Sequence, residues 1–204
     1  MNTAEPNLSR VTQETIALVL ALKQRDANTG DHCDRTQALA LELGRAAAVS
    51  SADLGTLGLA AHLHDLGKIG VSDVVLLKPG RLEPDELSIM KTHPQRGHDI
   101  LVAVPDDAII TVAQVVLHHH EAFDGSGYPA GLKGDLIPTL ARIIAIVDSY
   151  DAMATDRPYH HAREHKAIMR ILFDEQGHKY DQKLVKVFEA LIDGSSHKSR
   201  GTAQ

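Results

Sequence analysis

Histidine and aspartate recur in this sequence where apolar runs end, and that placement is where chemistry can be read. His64-Asp65 closes one such run and leads into Leu66-Gly67-Lys68-Ile69-Gly70. Adjacent residues on a helix do not share a face, but near a helix end both can reach one ion. Imidazole and carboxylate together suit Zn, Fe, Mn or Ni, and a carboxylate can serve two ions at once. Lys68 lies four residues after His64, so on a continuing helix it faces the same way. An ammonium beside bound metal is no ligand. It suits an anionic substrate such as a phosphate, and the charge that develops on it.

Two further clusters have the same character. His118-His119-His120-Glu121 follows the apolar run from Val112 to Leu117. Three consecutive histidines cannot all face one core, and two of them are expected in a buried polar site. Asp148 and Asp151 interrupt the apolar segment ARIIAIVDSYDAMA. Carboxylates are costly to bury without a metal, a cation or hydrogen-bond donors. Their spacing of three places them on neighbouring parts of one face, with Asp148 expected as a ligand and Asp151 as its support. His32 and His93 complete the set; each read alone is a cap, a surface group or a core hydrogen-bonder. His62, His98, His160, His161, His165, His178 and His197 are left as surface or structural residues.

The elements that must position these groups read as helices. Residues 11–26 form one, with Leu8, Val11, Thr15, Leu18 and Leu22 at alternating spacings of three and four. That stripe suits packing on the chain's own body or pairing with a second copy, and a homodimer is an expectation. A second helix spans 32–48. A third, with Ser51 and Asp53 as candidate caps, ends near His64. Pro84 with Asp85 and Glu86 starts another, its acidic residues matched to the N-terminal dipole. Helical patterns continue over 95–103, 106–120, 139–154, 162–174 and 181–192. Residues 121–138, with Gly125, Gly127, Pro129, Gly131, Gly134 and Pro138, are a loop. The tail from Gly194 is small and polar, as in frayed ends. No strand pattern is convincing, so the class is an all-α bundle.

Composition narrows the function. The 204 residues, 43% hydrophobic and 24% charged, make one ordinary domain. Aromatics are scarce, so the core is expected to be aliphatic. A net charge of −6 disfavours a nucleic acid polymer as partner. A single cysteine, Cys33, excludes an intramolecular disulfide and suits a reducing compartment. No run is long and apolar enough for a membrane span, and the expected location is cytoplasmic.

Taken together, RDANTGDH at 25–32, HDLGKIG at 64–70, LLKPGRL at 76–82, MKTHP at 90–94, HHEAFDGSGYPAGLKG at 119–134 and DSYDAMATDRPY at 148–159 resemble an HD-GYP domain. That family is a subgroup of the HD superfamily of metal-dependent phosphohydrolases. The resemblance implies a helical bundle of the HD type with a glycine-rich GYP loop. It covers residues 10–192, with 10–26 as an N-terminal helix and 1–9 and 193–204 as flexible ends. It implies hydrolysis of cyclic di-GMP to pGpG, and in some members onward to GMP. By motif position, His32, His64 and Asp148 would hold one divalent ion and His93, His119 and His120 the other, with Asp65 bridging them. A bridging hydroxide would attack the phosphodiester, and Lys68 would contact the scissile phosphate. Arg157 would contact the substrate's phosphate or guanine.

Iron or manganese is the implied metal, with nickel or zinc as alternatives. Members with three ions use a Glu four residues before the first histidine. Asn28 stands there, and a neutral amide is a poor ligand, so two ions are expected and the step from pGpG to GMP is left open. In the loop, Gly125 and Gly127 permit positive φ or close backbone approach, and Tyr128-Pro129 could order it. The loop would cover the site, and the family also uses it to contact diguanylate-cyclase domains. The other readings are a signalling module that binds cyclic di-GMP with little turnover, and an HD phosphohydrolase acting on another cyclic dinucleotide.

Overall fold

Capping side chains mark the starts of four helices of this chain. The structure is a computed structural model that describes residues 8–25, 27–156 and 161–201. Ten α-helices run through them: α1 (Leu8–Arg25), α2 (Ala27–Ala46), α3 (Ser51–Leu63), α4 (Asp73–Leu76), α5 (Pro84–Met90), α6 (His93–Leu101), α7 (Asp107–His118), α8 (Thr139–Ala154), α9 (His165–Asp174) and α10 (Gln182–Ile192). Short 3-10 turns occupy Leu66–Gly70 and Gly134–Leu136. Among the described residues there are only two isolated bridges and no strand.

Ser50, not Ser51 or Asp53, caps α3: its Oγ accepts from Asp53 N–H at 3.1 Å, while Asp53 sits in the first turn. Glu83 and Glu86 form a capping box around Pro84, as the acidic start of α5 required. Asp106 caps α7, and buried Asp181 caps α10. Helix α2 begins at Ala27, earlier than residue 32, so His32 lies inside a helix and is no cap. Helix α6 likewise starts at His93 rather than 95.

The bundle is built by α2, α3, α7 and α8 packing on one another, with α6 against α7 and α10 against α2. Leu39 and Leu43 of α2, Leu57 and Leu63 of α3, Val112 and Val116 of α7, and Ile144 and Val147 of α8 are fully or almost fully buried. Each such side chain contributes about 1.5–3 kcal/mol of apolar burial. The core is not purely aliphatic: Tyr150, Tyr180 and Phe188 are among its largest fully buried side chains. Val19 and Leu22 of α1 are buried in the same body and Leu18 packs against it, so this part of the N-terminal stripe is spent on the chain itself. The side chains of Leu8, Val11 and Thr15 lie outside the described residues.

The stretch after α10 is also bonded, where composition predicted fraying from Gly194. Ser199 N–H donates to Tyr150 Oη at 2.9 Å, and Ser199 Oγ donates to the Arg163 carbonyl at 2.7 Å. A polar tail gains order there because buried Tyr150 and a helix-flanking carbonyl offer it partners.

The contact that matters most for the site joins the turn after α3 to the start of α6. A Cβ on Gly67 would lie 1.9 Å from the His93 carbonyl oxygen and 2.5 Å from Gly97 N. These are backbone atoms, which cannot yield cheaply. Gly67→Ala is therefore expected to destabilise the protein by about 2–4 kcal/mol, measured as a shift in the denaturant midpoint at constant slope. An unchanged midpoint would show that the turn can move away from α6.

Candidate metal centre

Three of the key histidines sit at helix ends or close to them, and their backbone surroundings fix their tautomers. His64 follows α3 and its Nδ1 lies 2.7 Å from the Ala61 carbonyl. His93 opens α6, with Nδ1 2.8 Å from the Met90 carbonyl. His119 follows α7, with Nδ1 2.6 Å from the Val116 carbonyl. A carbonyl can only accept, so each Nδ1 carries the proton and each Nε2 offers a lone pair. Those lone pairs converge. His93 Nε2 and His119 Nε2 are 3.3 Å apart, and His64 Nε2 is buried with no hydrogen-bond partner. Such an arrangement is repulsive until a cation lies among the nitrogens.

Asp65 stands between two groups of donors. Its Oδ1 is 3.4 Å from His93 Nε2, and its Oδ2 is 3.5 Å from His64 Nε2. Lys68 Nζ donates to the same Oδ2 at 2.7 Å. The helix does not continue to Lys68, as its spacing from His64 had implied. Helix α3 stops at Leu63, and the 3-10 turn brings Lys68 to the site through Asp65 instead. Burial would raise the Asp65 pKa, but the Lys68 ammonium and the nearby imidazoles hold it well below the usual carboxylate range. Burial would likewise depress Lys68, and Asp65 keeps its pKa above the ordinary value.

The chain offers three sets of ligand atoms in close range: His93, His119 and His120; His32, His64 and Asp148; and His64, Asp65 and His119. Mixed imidazole and carboxylate donors with unpartnered, inward-facing nitrogens fit divalent transition metals. His119 is fully buried and His120 partly, while His118 turns aside to Glu121 at 3.4 Å. His32 behaves differently from the rest. Its Nδ1 is 2.6 Å from Asp151 Oδ2 and its Nε2 is 2.9 Å from Asp148 Oδ1. Burial opposes a charge on this ring, yet the two carboxylates push its pKa up to about 9. Burial lowers His93 to about 4 and His120 to about 3, and takes His119 well below its ordinary value.

Arg35 and Glu121 hold the surroundings, and sequence reasoning gave neither a role. Arg35 Nε and Nη2 donate to the two oxygens of Asp151 at 2.7 and 2.9 Å, so Asp151 is oriented and neutralised from behind while it faces His32. Its spacing of three from His32 on α2 was the available signal. Buried Glu121 accepts from Ala130 N–H at 2.8 Å and Leu132 N–H at 3.1 Å, binding the GYP loop to the end of α7. Its place beside His120 gave no hint of those partners. Gly127 lies so close that a Cβ would be 2.1 Å from Ala122 N, and Gly125 has a φ of +89°. Tyr128 stacks near His120, with ring centroids 5.0 Å apart. Arg157 and the side chain of Asn28 lie outside the described residues.

An HD domain family profile matches residues 10–184. The chain is 38% identical over 183 residues to the cyclic di-GMP phosphodiesterase response regulator RpfG of Xanthomonas campestris, covering 89% of this chain and 48% of that protein. It superposes on a cyclic GMP-AMP specific phosphodiesterase of Vibrio cholerae with a TM-score of 0.67 at 20% identity, covering 90% of this chain and 49% of that one. A second match is a HDG"Y"P protein from Bdellovibrio bacteriovorus, with a TM-score of 0.64 at 20% identity over 92% and 60% of the two chains. At that identity the superpositions speak for the fold. The chain spans about half the length of the curated relatives it matches.

The two histidine environments make metal uptake depend on pH in two ways. With a pKa of about 9, His32 is protonated at neutral pH and must lose that proton to become a ligand. His93 and His120, with pKa values of about 4 and 3, are already neutral there. Affinity at the His32 group should therefore rise from pH 6 towards 9, with about one proton released per ion, while affinity at the His93 group stays flat. Calorimetric titration with Mn²⁺ in buffers of different ionisation enthalpy measures this. Uptake without proton release at pH 7 would contradict it.

Proposed function

The chain belongs to the HD domain family, and on that premise we propose that it is of the HD-GYP branch and is a metal-dependent phosphodiesterase that opens cyclic di-GMP to linear pGpG. The observation that carries this reading is Asp65, whose two oxygens face His64 and His93 in separate donor groups while Lys68 holds one of them. In this reading His32, His64 and Asp148 would hold one ion and His93, His119 and His120 a second, with Asp65 within reach of both groups. Divalent ions bound there, iron or manganese by the family's habit, would acidify a water for attack on a phosphodiester and offset the charge of the phosphate.

The chain's own groups do the rest. Lys68, partly exposed and fully protonated, turns its ammonium to a non-bridging phosphate oxygen and stabilises the charge that grows there. Asp148, on the more open side of the site, keeps His32 aligned, and Asp151 with Arg35 fixes the opposite edge of that ring. Arg157 is assigned the substrate's second phosphate or a guanine. Asn28 in the place of a third-ion carboxylate fits a reaction that stops at pGpG. The relative of known structure from Vibrio cholerae is named for cyclic GMP-AMP, so the mixed dinucleotide is the second substrate to assay. Among the described residues no helix is long and apolar enough to cross a membrane. The reading sets the chain in the cytoplasm, where the buried free thiol of Cys33 stays reduced. A diguanylate-cyclase domain would meet it at the GYP loop. A homodimer through α1 would use faces other than that of buried Val19 and Leu22.

Anaerobic purification with metal analysis, followed by assay with Fe²⁺, Mn²⁺ and Ni²⁺, tests the proposal. Two ions per chain and linear pGpG are expected. Tight cyclic di-GMP binding with no product under any metal would instead favour a signalling module. Asp65→Ala should remove both ions together with activity, and retention of two ions would refute its shared role. Lys68→Ala should keep both ions and lower kcat by about 10²–10³-fold; an unchanged kcat would remove Lys68 from the chemistry.

A further inference from the structure

The turn that carries Lys68 is held from outside the site by arginine side chains. Arg25, the last residue of α1, spends every N–H of its guanidinium there. Its Nη1 donates to the Lys68 carbonyl at 3.1 Å and to the Ile69 carbonyl, and its Nη2 donates to the Val71 carbonyl. Its Nε and Nη2 both donate to Asp73 Oδ1, at 3.0 and 2.7 Å. Arg96 of α6 takes the remaining carbonyl, Gly70, at 2.9 Å. A planar fork of five donors is suited to such a cluster of acceptors, and a lysine, with one point charge on a flexible stem, is not.

Among the described residues, the hydrogen bonds of Arg25 go to the turn and to Asp73 and none to a donor of the metal centre. Its own helix is anchored by buried Val19 and Leu22 and by Lys23, which donates to Asp34 of α2 at 2.5 Å. The path from α1 to the site is therefore short and physical: guanidinium, turn backbone, Lys68, Asp65. We propose that Arg25 is a positioning residue for Lys68, fixing the backbone from which its ammonium meets the scissile phosphate, so that the seating of α1 sets turnover without altering the ligands. This inference rests on the phosphodiesterase reading above. A displacement of about 1 Å in a reacting group can cost up to about 10²-fold in rate, so a loosened turn is enough to matter.

The test compares metal-loaded wild type, Arg25→Ala, Arg25→Lys, Lys68→Ala and the Arg25→Ala/Lys68→Ala double variant. Arg25→Ala should keep the wild-type metal content, lose about 10–100-fold in kcat and leave KM nearly unchanged. Arg25→Lys should recover only part of that loss, and it carries the test if the alanine variant fails to fold. Removing Lys68 should cost less in the Arg25→Ala background than in wild type, because the two residues act as one unit. The proposal is overturned by an unchanged kcat, by losses that simply multiply, by full recovery with lysine, or by loss of metal from Arg25→Ala. Amide exchange at residues 68–71 gives a readout independent of substrate: it should quicken in both Arg25 variants while α3 and α7 keep their protection, and unchanged exchange overturns the clamp. A wild-type protein that turns over no cyclic dinucleotide sinks the phosphodiesterase reading alone, and the exchange rates then still decide the clamp.

Discussion

The interaction on which this structure depends is an unfavourable one. Imidazole nitrogens with their lone pairs turned inward, His93 against His119 at 3.3 Å and His64 with no partner at all, share a pocket that water barely reaches. Burying polar groups without partners costs free energy that the aliphatic body of the bundle must supply. The chain carries that cost because the same nitrogens, held apart by nothing else, define a place for positive charge. Around them the fold supplies only groups that sharpen the contrast: Asp65 and Asp148 as anions, and Lys68 as a cation confined to one edge.

The helix ends solve two problems with one bond. The last carbonyls of a helix have no partner within it. In α3 and α7 a carbonyl of the last turn, Ala61 or Val116, accepts from the Nδ1–H of the histidine three residues later. That bond satisfies the backbone and at the same time fixes the tautomer, aiming Nε2 into the site. The Met90 carbonyl at the end of α5 does the same for His93 across a short turn. A ligand placed mid-helix has no such free carbonyl. His32 is that case, and it relies on carboxylates of α8 instead, which push its pKa up while burial lowers those of His93, His119 and His120.

The sequence made some of this legible because the signals were local. Apolar periodicity and cap residues located most helices, and His64-Asp65 and His119-His120 at the ends of apolar runs marked the centre. The cost of burying carboxylates in an apolar helix marked Asp151 as a supporting group, but the side chain it braces is His32 of α2 and not Asp148. Grouping of the histidines came from motif resemblance, since no spacing shows that His32 of α2 approaches Asp148 of α8. What stayed hidden was long-range. Arg25 reaches carbonyls more than forty positions away, and Glu121 binds amides of a loop whose path composition does not specify. Arg35 meets Asp151 only because α2 packs on α8. Lys68 was placed near the site for an incorrect reason, because a helix that stops at Leu63 delivers it through a turn. Ser50 rather than its neighbour capped α3, a shift of one residue that propensity cannot resolve.

The GYP loop shows what tight closure implies for variation. Glu121 binds Ala130 and Leu132 with its two oxygens, Gly127 fits against Ala122 without room for a methyl group, and His120 adjoins that carboxylate in the chain. Surface loops ordinarily tolerate insertions and deletions, but this one is gauged at both ends by a single buried side chain. Its length is as fixed as that of a helical turn. Diversity among proteins built this way must enter through the outward side chains of the loop, such as Ser126, and a change in its length would be felt first by a histidine of the metal centre.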